Sequence, residues 1–139
     1  MRICKFLMVL MALALPWNAI AAIVIVTSPH SALSQVKQSQ LRQLYLRGSQ
    51  HLGEQKVLAL DLPDNSALRD RFYQQAVGKS ASQVKTFWAR MIFTGRGVPP
   101  RQVGGVSDMI NTLRHQPDTL GYLPEGKVPS DLKVLMRLK

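Results

Sequence analysis

Apolar and polar positions divide the chain into short strands and helices separated by clear breaks. Residues 23–28, IVIVTS, form an uninterrupted β-branched run closed by Ser-Pro, the pattern of a buried strand. Residues 28–35, SPHSALSQ, read as a polar loop. Residues 39–48 place Leu41, Leu44 and Tyr45 on one helical face, with Ser39 as N-cap and Gly48 as stop. Lys56 to Leu62 predicts a second strand, ended by Pro63. A helix follows from about Ser66 to Val77, with Leu68, Phe72, Tyr73 and Ala76 at helical spacing and Gly78 just past its end. Ser80 or Ser82 caps a third helix, in which Val84, Phe87, Trp88 and Met91 recur at i, i+3, i+4 and i+7. The heptapeptide TGRGVPP, residues 94–100, breaks the pattern completely. A shorter helix from Ser107 to His115 and two late strands, TLGYL and KVLMRL, complete the series. Strands alternating with helices predict an α/β or mixed α+β fold, with a small, partly parallel mixed sheet flanked by helices.

The N-terminal 22 residues read differently. Arg2 and Lys5 form a basic start, Phe6 to Leu15 is apolar, Pro16 breaks it, and Ala19-Ile20-Ala21 fits a small-residue cleavage site. The apolar run is shorter than the roughly 20 residues a bilayer span needs. Residues 1–22 are therefore expected to be a cleaved signal peptide, with residues 23–139 as one domain in the periplasm. Cys4 would leave with the leader, and the remaining chain holds no cysteine. The net charge of +10 would fall to +8, still strongly basic for 139 residues. Such a charge favours acidic partners, and outside the cytoplasm nucleic acid is not one of them.

Few residues are arranged for catalysis. The eight acids are scattered, His30, His51 and His115 lie far apart, and no nucleophile elbow or phosphate-binding loop is present. No enzyme activity, metal or cofactor is expected. The stretch DLPDNSALRDR, residues 61–71, is the exception. A helix opening on Asn65 and Ser66 offers backbone N–H groups without intrahelical acceptors, together with the positive end of the helix dipole. Two readings stay open: an ordinary cap with Arg69 and Arg71 solvated or paired to Asp64 or Asp70, or an oxyanion held by those donors with Ser66 and Arg69.

Several pieces together resemble a known family. These are Leu44-Tyr45-Leu46-Arg47-Gly48, Phe72-Tyr73, Gly78-Lys79-Ser80, Phe93-Thr94-Gly95-Arg96-Gly97 and Gly121-Tyr122-Leu123. In this order they are similar to the periplasmic phosphate-binding proteins of ABC transporters, especially the short, single-lobe ones. The resemblance covers almost all of residues 23–139 and implies one lobe of a type II periplasmic-binding-protein fold. It lays the family's anion loop, R-S-D-G-S-G-T, on residues 62–68. Asp64 and Ser66 keep the family's residue types. Leu62 stands at the clamping arginine, Leu68 at the threonine, and Asn65 and Ala67 replace the glycines.

The expected ligand is phosphate or a similar small anion. Asn65, Ser66 and the backbone donors around Ala67 would hold it, Asp64 would accept from a protonated phosphate oxygen, and Arg69 would replace part of the lost arginine. Thr27, Ser28 and Ser31 would add hydroxyls if the first loop lies at the same sheet edge. An ABC permease or another envelope protein is the implied partner, with the membrane touched only by transient docking. The alternative is an envelope accessory module that kept the lobe and docks through Lys85, Arg90, Arg96 and Arg101.

Overall fold

The computed structural model describes residues 20–139. Most of the leader segment therefore lies outside the described residues. Among those described, no helix is long and apolar enough to cross a membrane.

The strands β1 (Ile23–Thr27), β4 (Leu58–Asp61), β5 (Arg101–Gln102), β6 (Thr119–Pro124) and β7 (Lys133–Arg137) form one mixed sheet in the order β5-β4-β6-β1-β7. β4 runs parallel to β5 and β6, whereas β1 is antiparallel to both β6 and β7. Parallel neighbours require crossovers. Helices α2 (Ala67–Val77) and α3 (Ala81–Phe93) carry the chain from β4 to β5, and α4 (Val106–His115) carries it on to β6. The mixed α/β architecture expected from the pattern is the one observed.

Side-chain alternation along β6 separates the two layers. A Cβ added at Gly121 would meet Met109 and Leu113 of α4, so α4 covers that face. Tyr122 points the other way and stacks on Phe72 of α2, with ring centroids 3.9 Å apart. Tyr45, from α1 (Gln38–Leu46), closes edge-on against Phe72 and Tyr122. The Tyr45 hydroxyl donates to the Leu60 carbonyl and the Trp88 indole donates to the Tyr45 carbonyl, so these buried aromatics keep their polar atoms paired.

Three boundaries differ from expectation, each for a local reason. α1 begins two residues early, with Lys37 rather than Ser39 at the N-cap, because Gln40 Oε1 reaches back to accept from the Lys37 N–H at 2.8 Å. The stretch expected as one strand over Lys56–Leu62 splits at Val57, and a small hairpin, β2 (His51–Leu52) with β3 (Gln55–Lys56), precedes β4. The two-residue β5 was not anticipated at all.

Gly48 ends α1 at φ +64°, and a Cβ there would come within 2.6 Å of the Val98 backbone nitrogen. Gly53 has nearly the same φ but open space around it. Gly48→Ala is therefore expected to cost about 2–4 kcal/mol, from left-handed strain plus backbone overlap, while Gly53→Ala costs about 1 kcal/mol. Urea melts of the two variants check the contrast; equal midpoints would mean that the α1 end and the 94–100 loop do not touch.

Candidate anion site at the start of helix α2

A tight turn delivers the chain from β4 into α2, with the Ser66 N–H donating to the Pro63 carbonyl at 3.0 Å. Ser66 is the N-cap, its hydroxyl oxygen accepting from the Arg69 N–H at 3.2 Å, and its carbonyl accepts from the Asp70 N–H. Gly78, in the left-handed region, ends the helix. The capping reading of Ser66 is thus realised. It uses up the amides of Arg69 and Asp70, whereas those of Ala67 and Leu68 find no acceptor among the described residues. Asn65 and Ala67 are exposed and Leu68 is half-buried.

Behind this turn lies a group that pattern reading did not find. Asp61, the last residue of β4 and 3% exposed, accepts hydrogen bonds from the Tyr73 hydroxyl at 2.6 Å, the Tyr122 hydroxyl, the Leu62 N–H at 2.9 Å and Arg69 Nε at 3.1 Å. Burial, then the Asp61 charge, pushes both phenols far above their ordinary range, so they stay neutral donors. Burial works against the Arg69 guanidinium, yet Asp61 and its neighbouring tyrosines outweigh this and hold its pKa above the usual value. The guanidinium also sits over the Tyr73 ring, 4.9 Å from its centroid.

Only one end of Arg69 is spent in this way. Its side chain is 6% exposed, yet neither terminal amino group makes a hydrogen bond among the described residues. Nη1 forms an ion pair with Asp64 Oδ1 at 3.7 Å, longer than a hydrogen bond. The fork opens into a cavity of about 430 Å³ lined by Asp61, Asp64, Lys85, Trp88, Ile92, Pro99, Pro100 and Gln102, among others. Asp64 stands at its polar end, accepting from Gln102 Nε2 at 3.0 Å, with Lys85 Nζ at 3.9 Å. The register Asp61↔Gln102 explains why β5, short as it is, brings Gln102 and the two prolines here.

Of the residues expected to hold an anion, Asp64 and Arg69 line the cavity, Asn65, Ser66 and Ala67 lie on the adjoining turn without lining it, and Thr27, Ser28 and Ser31 lie away from both. Thr27 aligns with Leu120, which aligns with Ala59, so the first loop leaves the sheet near the N-terminal end of β4. The α2 turn follows the C-terminal end, roughly 10 Å away at about 3.3 Å per residue. The shared sheet edge expected for these hydroxyls is corrected by the antiparallel direction of β1. Their oxygens serve the fold instead: Thr27 donates to the Thr119 carbonyl, Ser28 accepts from the His30 N–H, and Ser31 accepts from the Leu33 N–H.

A second surface is distinctive. From Arg71 to Ser107 the chain carries six cations and no acid. Lys85, Arg90, Arg96 and Arg101 are all exposed, and Phe93 at the end of α3 is 92% exposed.

No family model matches the chain, and no curated protein does. Solved structures do. A candidate phosphate ABC transporter substrate-binding protein from Clostridium perfringens, with bound phosphate, superposes at a TM-score of 0.66 and 13% identity over 83% of this chain. An ABC-type phosphate transport receptor from Vibrio cholerae gives 0.65 and 16% over 84%, and PstS from Borrelia burgdorferi gives 0.62 and 13% over 83%. The match takes up 44%, 46% and 46% of those chains, so this chain spans less than half the length of each. Its mixed sheet flanked by helices is, in fold, a single lobe like those of the phosphate ABC transporter substrate-binding proteins.

Proposed function

We propose that the chain is a periplasmic oxyanion-binding protein of the phosphate type, serving ABC transport rather than catalysis. The observation that carries this reading is Arg69: a buried guanidinium, fixed at Nε by Asp61 and ion-paired at Nη1 with Asp64, lining a cavity between the end of β4, α3 and the Pro99–Gln102 segment. Charge-assisted bonds from such a fork are the strongest and most geometry-specific available to a phosphoryl group. The Ala67 and Leu68 amides are uncommitted donors on the adjoining turn, outside the residues that line the cavity. Asp64 suits an anion that still carries a proton, which it would accept, and disfavours sulfate and nitrate. Arg69 thus takes the place of the clamp lost at Leu62, which is 1% exposed and belongs to the core. The likeness in fold to a protein described as a phosphate transport receptor supports the same ligand class.

Isothermal titration with phosphate, sulfate and nitrate tests the proposal. Saturable heat with phosphate, and at least tenfold weaker response to the other two, is the expected outcome. Flat titrations at millimolar concentration with phosphate and with its organic monoesters would refute it. That result would favour the second reading, an envelope module docking through the acid-free surface of α3 and the 94–101 segment, where Phe93 and four cations are exposed.

A further inference from the structure

The cavity beside Arg69 is unlike a shell for a bare inorganic anion. Its polar residues crowd one end, where Asp64, Arg69, Lys85 and Gln102 converge. The remaining wall is Trp88, Ala89, Ile92, Pro99 and Pro100. The Trp88 indole N–H is committed to the Tyr45 carbonyl, so only its hydrocarbon surface is available. Consecutive prolines have no N–H to offer. An inorganic phosphate seated at Arg69 would leave this partly exposed apolar wall facing water, whereas an apolar substituent on the phosphoryl group would cover it. A volume of about 430 Å³ also lies within the range of small-molecule sites, well beyond what one tetrahedral anion fills.

We infer that this site takes an organic phosphate or phosphonate carrying a compact apolar substituent. The inference rests on the anion reading above and narrows its ligand class. The phosphoryl oxygens meet the Arg69 fork and Lys85 Nζ, Asp64 accepts a hydrogen bond from the P–OH of the monoanion, and the substituent lies along Trp88, Ile92 and the diproline. The substituent takes the place of one phosphate oxygen and covers apolar surface that inorganic phosphate leaves to water. Lys85, Trp88, Ile92, Pro99, Pro100 and Gln102 thereby become specificity residues.

Titration of the full-length chain with phenyl phosphate, phenylphosphonate, inorganic phosphate and phenol decides the matter. Phenyl phosphate and phenylphosphonate are expected to bind at least tenfold tighter than inorganic phosphate, through the apolar area they bury, and phenol is expected to bind far more weakly than either. Ile92→Asp, at a position 59% exposed and tolerant of charge, should bring the ratio of phenyl to inorganic phosphate close to one. Inorganic phosphate binding as tightly as phenyl phosphate overturns the inference and leaves the anion site standing. Phenol matching phenyl phosphate also overturns it, because the cavity would then be merely apolar. If none of the phosphorus compounds binds, the anion reading itself fails and takes this inference with it.

Discussion

Asp61→Ala is expected to destabilise the fold by about 3–5 kcal/mol, the usual cost of removing one partner from a buried ion pair. For a domain of this size that lowers Tm on the order of 10–15 °C. The reason is what remains behind: a guanidinium 6% exposed without its carboxylate, and two tyrosine hydroxyls and the Leu62 N–H without their acceptor. Lost packing is a small part of the effect. The double variant Asp61→Leu with Arg69→Met should therefore recover part of the loss, since replacing both charges by apolar groups removes the unpaired cation. Thermal melts of the single and double variants provide the check. A double variant less stable than the single one would show that shape, not charge pairing, sets the cost.

Arg69→Lys separates folding from binding. A lysine keeps a cation against Asp61, so the change in Tm should be modest. It loses the planar fork that carries the binding proposal, and each charge-assisted bond of that kind is worth about 1.5–3 kcal/mol. The dissociation constant for phosphate should therefore rise about tenfold or more. An exposed control such as Arg42→Lys should leave it unchanged. Unchanged affinity in Arg69→Lys would mean that the anion, if bound, sits elsewhere.

Local chemistry was readable along the chain, and long-range assembly was not. Gly48 and Gly78 were placed correctly at helix ends, and Ser66 and Ser80 were each one of two candidate caps, because capping depends on neighbours a few residues away. Ser39 failed for the same kind of reason, since a glutamine reaching back from Gln40 won the first turn. The Asp61 cluster left no such trace. Its partners come from positions 69, 73 and 122 on two different elements, and in the pattern Asp61 looked like one polar residue in an apolar strand. Strand direction is equally silent, because side-chain alternation is the same whichever way a strand runs. That is why Thr27, Ser28 and Ser31 were expected near α2 and lie at the other end of the sheet. Likewise β5, with two ladder residues, is too short for any periodicity, yet it sets Gln102 and the diproline beside Asp64.

The contact between Gly48 and the 97–98 backbone reaches further than the end of one helix. Gly97 lies against the Arg47 carbonyl and Gly48, so the segment that leads into Pro99 is clasped to the α1 terminus. One side of the cavity is consequently set while the chain folds. A guest reaching Arg69 meets a finished surface there, and its capture should show little of the entropy loss that accompanies a closing loop.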